Sequence, residues 1–451
     1  MSDIIAAIAT GRAPCAIGIL RLSGPGCAAL TGRVFTPKQP FADAPDRRLV
    51  LGLLHDRQGR VIDECLGVVC RAPHSYTGEE TVELQCHGSP AMLAAGLESL
   101  LAAGARQAGP GEFTRRAFLN GKLDLTQAEA VVDLIDAETA DAAANAAGQL
   151  GGALKRAIGP VYDGLTDLCS HFHAVLDYPD EDIEDFGAAE LSGALDRAGV
   201  ALRELLATYE KGRHLRQGVR AVLLGKPNAG KSSLLNRLAG YDRVIVTDIA
   251  GTTRDTVEEP VRVGRVLLRL TDTAGIREAG DAIEALGVAR SEQAAREAEL
   301  ALFVCDASRP LTDEDRRAIE AAKCAPRSLA LCNKSDLPAT VSPDELPFDT
   351  VLTVSARTGA GLDALPALLE GWFLGENACD GSLLTNPRQF GALDRASRAI
   401  ERAKIGLGLG VTPDAVLTDV EEAMAALGEV TGRTVREDIT NRIFERFCVG
   451  K

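Results

Sequence analysis

The segment Gly225–Ser232 constrains this chain more than any other stretch, because it carries Gly, Gly, Lys and Ser at the fixed positions of the pattern G-x-x-x-x-G-K-[ST]. The apolar run Val219–Leu224 precedes it and an amphipathic run begins at Ser233, which together give the strand, loop and helix that this motif requires. Backbone N–H groups of such a loop surround phosphate oxygens at a helix N-terminus. Lys231 then reaches the terminal phosphates, and Ser232 offers a hydroxyl to Mg²⁺. A plain glycine-rich turn would fit the motif alone, but the flanking strand and helix favour a nucleotide site.

A second motif, N-K-x-D at Asn333–Asp336, indicates which base is bound. It follows the apolar run Ser328–Cys332 and therefore lies at the carboxyl end of a predicted strand, where ligands bind in open α/β sheets. The Asp336 carboxylate can accept hydrogen bonds from N1–H and N2–H₂ of guanine, whereas adenine would leave it unpaired at a cost of about 1–3 kcal/mol or more. An isolated motif of this kind could be a surface turn. Its position one strand after Leu300–Asp306 favours GTP.

Two further segments complete the pattern of a GTPase. The sequence D-T-A-G runs from Asp272 to Gly275 and ends the predicted strand at 265–270. Asp272 is expected to hold the Mg²⁺ shell through water, and Gly275 lets the backbone approach the γ-phosphate. Thr252 and Thr253 lie in a polar, glycine-containing segment that we expect to fold over the metal and to be released on hydrolysis. A plain surface loop is the alternative, but four motifs in the correct order favour a switch.

The group that orients the attacking water is less evident. Ras-type GTPases place a Gln directly after D-x-x-G, and here that residue is Ile276. Glu284 is the nearest candidate, although a solvent-facing glutamate at the start of a helix explains it equally well from the sequence. Arg254 and Arg277 lie in the switches, but neither can be assigned as an arginine finger. A monovalent cation held by Asn228 could supply that charge instead.

Four segments of the chain together resemble the MnmE (TrmE) family of tRNA-modification GTPases, and the likeness extends over the whole sequence. They are G-K-P-N-A-G-K-S at 225–232, T-D-I-A-G-T-T-R-D at 247–255, D-T-A-G-I-R-E at 272–278 and C-V-G-K at 448–451. The resemblance implies a homodimer in which K⁺ takes the part of the arginine finger. The implied K⁺ ligands are Asn228, Thr247, Ile249 and Thr252. It also implies that Glu284 positions the water.

The motifs and the resemblance together predict the GTP site. Ser232 and Thr253 are the expected Mg²⁺ ligands, and Asp272 and Glu284 are the expected catalytic residues. The expected GTP contacts are Asn228, Ala229, Gly230, Lys231, Ser232, Ser233, Thr247, Asp248, Ile249, Ala250, Gly251, Thr252, Thr253, Asp272, Thr273, Ala274, Gly275, Asn333, Lys334, Asp336, Ser355, Ala356 and Arg357.

The residue pattern of the N-terminal region contains no recognisable binding or catalytic motif. The resemblance, however, implies a tetrahydrofolate-binding fold. The match rests on the runs Gly18–Arg21, Glu83–Gly88 and Phe118–Lys122. The implied contacts to a formyl or methylene tetrahydrofolate are Arg21, Glu83, Lys122 and Lys451. Cations suit the glutamate tail of a folate, and a carboxylate suits the edge of its pterin ring.

The resemblance also implies a partner, the FAD-containing enzyme MnmG, in a heterotetramer or larger complex. The pair would build a 5-(carboxymethyl)aminomethyl group, or the aminomethyl group, on the wobble uridine of certain tRNAs. The formal net charge of −15 argues against a dedicated nucleic-acid binder, since phosphate affinity comes mainly from basic patches. We therefore expect the partner to hold much of the tRNA.

The C-terminal residue Cys448 has two interpretations. Terminal residues are commonly frayed, which predicts an uninformative tail. In the family, however, the terminal motif is required for tRNA modification. A nearby lysine would lower the pKa of a thiol that reached the folate pocket, although the sequence does not decide whether Cys448 is a nucleophile.

Other functional classes compete with this hypothesis. A ribosome-assembly switch GTPase of the Era or EngA kind shares the phosphate loop, but it would carry a basic KH-like module with a Gly-x-x-Gly loop, and none is evident. A folate-dependent transferase with an incidental GTPase is a third possibility.

The length of 451 residues suggests about three domains. We predict an α+β folate-binding and dimerisation domain at 1–120, with strands in four short apolar runs and a hairpin turn at Asp56–Gly59. A helical domain is predicted at 121–216 and 377–451, interrupted by an α/β, Ras-like P-loop GTPase domain at 217–376. Helix starts are predicted from the capping boxes that begin at Thr126, Thr418 and Thr434. The acidic residues 177–185 are expected to form a solvated loop.

The cysteines and the N-terminus indicate the compartment. Eleven scattered cysteines without a C-x-x-C pair favour reduced thiols, and no zinc site is apparent from their spacing. Met1–Ala9 has Asp3 where a signal peptide would be basic, and no run approaches the length of a membrane span. We expect a cytoplasmic protein that does not contact the membrane.

Overall fold

The described residues form two structural units, each with its own β-sheet. The computed structural model describes residues 3–11, 13–37, 41–177, 188–241, 258–272, 292–375, 379–434, 440, 443–445 and 447–450. Unit 1 comprises residues 1–132, 149–198 and 395–451, and unit 2 comprises residues 133–148 and 199–394.

The sheet of unit 1 is built from short, mostly antiparallel strands. They are β1 (Ile5–Ile8), β2 (Cys15–Ser23), β3 (Phe35–Pro37), β4 (Val50–His55), β5 (Val61–Cys70), β6 (Thr81–Gly88) and β7 (Arg106–Gln107). Their order is β3-β4-β5-β6-β2-β1-β7, with β1 and β7 parallel. Successive side chains of a strand point to opposite faces, so Cys65, Gly67 and Val69 of β5 are buried while Leu66 and Val68 lie on the outer face. The four apolar runs that predicted strands here are confirmed.

The predicted hairpin turn joins β4 to β5. The backbone N–H of Asp56 donates to the carbonyl of Arg60 at 2.9 Å, and the Asp56 carboxylate accepts from the N–H of Gln58 and of Arg60. Gly59 has φ +79°, a left-handed conformation that suits glycine. The turn is therefore confirmed, and its carboxylate stabilises it.

Thirteen α-helices lie among the described residues. They are α1 (Cys27–Thr31), α2 (Pro90–Ala102), α3 (Glu112–Leu119), α4 (Leu125–Ile135), α5 (Ala140–Leu150), α6 (Ala153–Asp177), α7 (Ala188–Ala207), α8 (Tyr209–Gln217), α9 (Lys231–Tyr241), α10 (Asp313–Ala322), α11 (Ala364–Phe373), α12 (Pro387–Gly408) and α13 (Pro413–Thr431). Within unit 1, α2 packs its Leu93 and Leu100 against the buried face of the sheet, and α6 contacts α13 through Cys169 and Met424.

Two of the predicted capping boxes are wrong. The box at the start of α4 is formed by Asp124, whose Oδ1 accepts the N–H of Gln127 at 2.9 Å while the N–H of Asp124 donates to Gln127 Oε1 at 3.0 Å. Thr126 therefore lies inside the helix. Thr418 also lies inside a helix and donates to the carbonyl of Asp414, because α13 already begins at Pro413. The box predicted from Thr434 and the acidic residues 178–185 extend outside the described residues.

The sheet of unit 2 is an open α/β sheet. Its strands are β8 (Val219–Leu224), β9 (Glu258–Val263), β10 (Val266–Asp272), β11 (Leu300–Asp306), β12 (Arg327–Asn333) and β13 (Val351–Thr353). The order is β13-β12-β11-β8-β10-β9, and only the β9–β10 pair is antiparallel. Near-continuous apolar strands are typical of parallel sheets that are buried on both faces, and separate apolar clusters cover the two faces here.

This architecture confirms the expected multidomain fold: an α+β N-terminal part, helices, and a Ras-like α/β module between helical segments. The carboxyl ends of β8, β10, β11 and β12 all lie at one edge of the second sheet, because these strands are parallel. No helix among the described residues is long and apolar enough to cross a membrane.

Candidate functional site

The phosphate loop connects β8 to α9, as predicted. Gly225 and Gly230 have φ of +141° and +99°, a region that L-residues with side chains rarely adopt. A Cβ at Gly225 would lie 2.1 Å from the carbonyl oxygen of Val304, and a Cβ at Gly230 would lie 2.2 Å from Asn333 Nδ2. Only glycine therefore permits this approach of the loop to β11 and β12. Ser232 and Ser233 are exposed in the first turn of α9.

Lys231 lies across the mouth of this loop. Its Nζ donates to the carbonyl oxygens of Gly225 at 2.6 Å and Lys226 at 3.0 Å. The side chain is held over the same backbone that would surround phosphate oxygens. This position is consistent with an ammonium that turns toward the terminal phosphates of a nucleotide.

Asn333 connects the phosphate loop to the base side of the site. It is 2% exposed, and its Nδ2 donates to the carbonyl of Ala229 at 2.8 Å. Its Oδ1 accepts the backbone N–H of Lys334 at 2.8 Å and of Ala356 at 2.9 Å. One amide side chain thus fixes three segments that the sequence assigned separately to GTP binding.

The Asp336 carboxylate is positioned from the loop after β13. Ser355 Oγ donates to Asp336 Oδ1 at 2.6 Å, and Arg357 Nε lies 3.6 Å from Oδ2. The hydrogen bond from Ser355, with the charges of Arg357 and Lys334, holds the pKa of Asp336 below its usual range. The group is therefore an ionised acceptor at neutral pH, as guanine recognition requires.

Lys334 lies in the same motif and contacts β11. It has φ +66°, and its Nζ donates to Asp306 Oδ2 at 2.7 Å. Burial raises the pKa of Asp306, but hydrogen bonds from Lys334 and Ser308 outweigh it, and the net pKa is lowered. This hydrogen bond fixes the Lys334 side chain against the carboxyl end of β11.

The sequence did not reveal a buried ion pair beneath the phosphate loop. Lys226, a variable position of the motif, donates from Nζ to Asp315 Oδ2 at 2.8 Å. The same oxygen accepts the N–H and the hydroxyl of Thr312, which caps α10. Thr312 and Asp315 could have been recognised as a capping box, but their link to Lys226 connects residues far apart in sequence.

Much of the catalytic prediction lies outside the described residues. This applies to Glu284, to Thr247–Thr253, to Thr273–Gly275 and to Lys451. Asp272 is the last residue of β10 and ends at the same sheet edge as the phosphate loop.

A second cluster in unit 1 brings together residues from the predicted folate site. Arg21 and Glu83 are paired in register on β2 and β6, and Arg21 Nε lies 2.8 Å from Glu83 Oε1. The Arg21 guanidinium is 5.6 Å from the ring centre of Tyr76 and 5.7 Å from that of Phe113. Lys122 is exposed after α3. The cluster offers a cation, a carboxylate and the exposed ring of Tyr76, whereas Phe113 is fully buried behind Arg21.

The C-terminal segment docks against this cluster. The Gly450 carbonyl accepts from Arg21 Nη1 at 3.3 Å, Val449 forms a β-bridge with Pro110, and the Cys448 carbonyl accepts the N–H of Gly111 at 3.3 Å. Phe447 packs with Phe444 in an apolar cluster. The expectation of a frayed tail is therefore wrong for residues 447–450, and the Cys448 side chain remains exposed.

Comparison with known proteins identifies the family. Residues 4–122 match the family model described as the N-terminus of the GTP-binding protein TrmE, and residues 125–448 match the MnmE helical domain. The tRNA modification GTPase MnmE of Roseiflexus sp. (strain RS-1) is 44% identical over 465 residues, which cover 100% of this chain and 99% of the relative. The chain belongs to the MnmE family. The MnmE of Aquifex aeolicus (strain VF5) is 41% identical over 455 residues and is covered completely, as is this chain.

Similarity to solved structures adds little to the MnmE assignment. The G domain of the T. maritima FeoB iron transporter aligns with a TM-score of 0.25 and 22% identity, covering 33% of this chain and 94% of that one. A likeness this weak carries no argument about function, whereas membership of the MnmE family rests on the full-length relatives.

Proposed function

We propose that this chain binds and hydrolyses GTP and that the resulting conformational cycle serves tRNA modification. Relatives named tRNA modification GTPase match it from end to end. The observation that carries the proposal is the bridge made by Asn333 between the carbonyl of Ala229 in the phosphate loop and the N–H of Ala356. In the proposed site, this bridge would set the distance between the groups that hold the phosphates and those that hold the guanine base.

The phosphate loop fits a nucleotide with Mg²⁺. Gly225 and Gly230 leave the backbone open where a Cβ would collide with Val304 and Asn333, and Ser232 is exposed at a helix N-terminus. We propose Ser232 and Thr253 as the Mg²⁺ ligands, with Asp272 acting through water. When bound, Mg²⁺ neutralises charge that develops on the β- and γ-phosphates.

Hydrolysis also requires a positioned water and a positive charge at the phosphates. We propose that Glu284 orients the water, since Ile276 stands where Ras-type proteins have Gln. The proposed K⁺ ligands are Asn228, Thr247, Ile249 and Thr252. Asn228 is exposed with φ +65° at the rim of the phosphate loop, which leaves its side chain available to a cation.

The cluster in unit 1 supports a folate site. We propose that Arg21, Glu83, Lys122 and Lys451 bind a formyl or methylene tetrahydrofolate. The Arg21–Glu83 pair offers a donor and an acceptor to a pterin edge, and the exposed ring of Tyr76 supplies aromatic surface beside Arg21. Cys448 would then contribute to the modification step.

We further propose that the protein is a homodimer and works with the FAD enzyme MnmG on the wobble uridine, adding the 5-(carboxymethyl)aminomethyl group. The outer face of the first sheet supports self-association, because Leu51 and Leu53 of β4 are 46% and 37% exposed and Ile17 of β2 is 60% exposed. The net charge of −15 favours a partner that supplies the basic tRNA surface. The proposed domains are 1–120, 121–216, 217–376 and 377–451.

The proposal is tested by nucleoside analysis of total tRNA from cells that lack the gene. Loss of the modified wobble uridine, restored by the wild-type gene but not by a Lys231→Ala variant, supports a GTP-dependent role in modification. Cys448→Ser separates the two activities, since it should retain GTP hydrolysis but fail to restore the nucleoside. Unaltered tRNA nucleosides in the deletion strain would exclude the proposal and favour a switch GTPase of another pathway.

A further inference from the structure

Two buried thiols and a carboxylate meet in the first sheet, where neither the proposed GTP site nor the proposed folate site uses them. Cys65 of β5 and Cys86 of β6 lie on neighbouring strands, and Asp63 precedes Cys65 by two residues on the same strand. Both sulfur atoms and an Asp63 oxygen lie within 4.8 Å of one another. Across the ranges that the structure describes, no other three His, Cys, Asp or Glu side chains meet in this way.

The Asp63 carboxylate is held in place by His87. The backbone N–H of His87 donates to Asp63 Oδ2 at 2.8 Å, and His87 Nδ1 lies 2.7 Å from Oδ1. The Asp63 side chain is 8% exposed while the His87 side chain is 79% exposed. The carboxylate is therefore oriented by a hydrogen-bonding neighbour, as ligating carboxylates commonly are, and the imidazole of that neighbour is exposed to solvent.

We propose that Asp63, Cys65 and Cys86 bind one Zn²⁺ ion per chain. Thiolates and carboxylates are ordinary zinc ligands, and tetrahedral geometry with Zn–S bonds of about 2.3 Å places two sulfurs roughly 3.8 Å apart. The observed separations are within reach of that arrangement. Binding forms two Zn–S bonds and one Zn–O bond and releases the two thiol protons to solvent. Three protein ligands leave one position for water.

The competing account treats the two cysteines as small apolar core residues, since free cysteine is among the most buried residue types. Both are 3% exposed and belong to the apolar core of this sheet. That account explains their burial, and the bonds from His87 explain the position of the carboxylate, but neither explains why an Asp63 oxygen and both sulfur atoms lie within 4.8 Å of one another. Zinc accounts for all three groups at once.

The ion would cross-link the strand pair that carries part of the proposed folate site. Glu83 lies three residues before Cys86 on β6, and β6 is also paired with β2 through Arg21 and Glu83. A ligand that binds only the folded chain stabilises it, by an amount that grows with the logarithm of the free ligand concentration relative to the dissociation constant. Zinc at this position would therefore stabilise the part of the sheet that holds Glu83.

The test uses the full-length, untagged, reduced and metal-free protein, titrated with Co²⁺ and then Zn²⁺. We expect one equivalent of Co²⁺ to give a sulfur-to-cobalt charge-transfer band that Zn²⁺ abolishes, and Zn²⁺ to raise the melting temperature. Cys65→Ala and Cys86→Ala should each lose the band. Cys27→Ala is the matched control and should keep the band, because Cys27 is a buried thiol of the same core that belongs to no such ligand cluster among the described residues.

Asp63→Asn keeps both thiols and tests the site even if a cysteine variant fails to fold. It should weaken metal binding at least tenfold and reduce the zinc-dependent rise in melting temperature at the same zinc concentration. A wild-type protein without a charge-transfer band, or a band that survives Cys65→Ala, would overturn the proposal and leave two ordinary core cysteines. GTP hydrolysis does not enter any of these measurements, so their failure leaves the proposed function standing.

Discussion

Replacing Asn333 by Ala should reduce both the free energy of unfolding and the affinity for GTP by more than the loss of a small side chain alone would. The substitution removes the partner of the Ala229 carbonyl and of the Ala356 N–H, and these residues are 0% and 7% exposed. Each buried polar group without a partner costs about 1–3 kcal/mol. Because water can enter the space that the side chain leaves, we expect a total in the lower half of the range of roughly 2–6 kcal/mol that two such groups span, about 3 kcal/mol.

Part of that free energy is lost from folding and part from GTP binding, since Asn333 fixes the distance between the phosphate loop and the base side. At about 1.4 kcal/mol per factor of ten, the loss corresponds to roughly a hundredfold when both effects are added. Urea unfolding gives the first quantity, and titration with a fluorescent GTP analogue gives the second. Ser335→Ala is the matched control in the same motif, because the described hydrogen bond of Ser335 runs from its backbone N–H to Val354. An Asn333→Ala protein that unfolds and binds GTP like the control would refute this reasoning.

Three other predictions concern hydrolysis and the base of the phosphate loop. GTP turnover should be markedly faster in K⁺ than in Na⁺, and Asn228→Ala should abolish the difference; equal wild-type rates in the two salts would remove the cation from the mechanism. Glu284→Ala should spare binding of a GTP analogue and reduce hydrolysis, whereas loss of binding would indicate a structural role. Lys226→Met leaves the buried Asp315 carboxylate without its cation, so chemical denaturation should show a loss of about 3–5 kcal/mol. Adding Asp315→Leu should recover part of it, and a double variant no more stable than the single one would contradict this.

The parts of the fold that the sequence predicted well are those with a local signal. Val219–Leu224 and Leu300–Asp306 are strands with the predicted bounds, because fully buried parallel strands are continuous apolar runs. The phosphate loop was equally predictable from the sequence, because its backbone conformation requires glycine at fixed positions. The residues at which helices begin were harder to predict. Asp124 competes with Thr126 for the start of α4, and a capping pattern alone does not decide between acceptors two residues apart.

Contacts between distant residues could not be predicted from pattern. Two such contacts are the ion pair between Lys226 and Asp315 and the hydrogen bond between Arg21 and Gly450. Both depend on the tertiary fold, which brings residues distant in sequence together. The cluster of Asp63, Cys65 and Cys86 is a further case, since zinc spacing in sequence usually means cysteines close together. Here strand pairing, rather than sequence proximity, brings the ligands together.

The most direct test of the account is the base specificity of an Asp336→Asn variant. The wild-type carboxylate, fixed by Ser355, should bind the N1–H and N2–H₂ edge of guanine, so GTP is hydrolysed and XTP is not. An asparagine amide can donate to the C2 carbonyl of xanthine, and the variant should therefore hydrolyse XTP and lose most of its activity on GTP. A variant that keeps wild-type turnover of GTP would contradict the claim that this edge of the sheet recognises guanine.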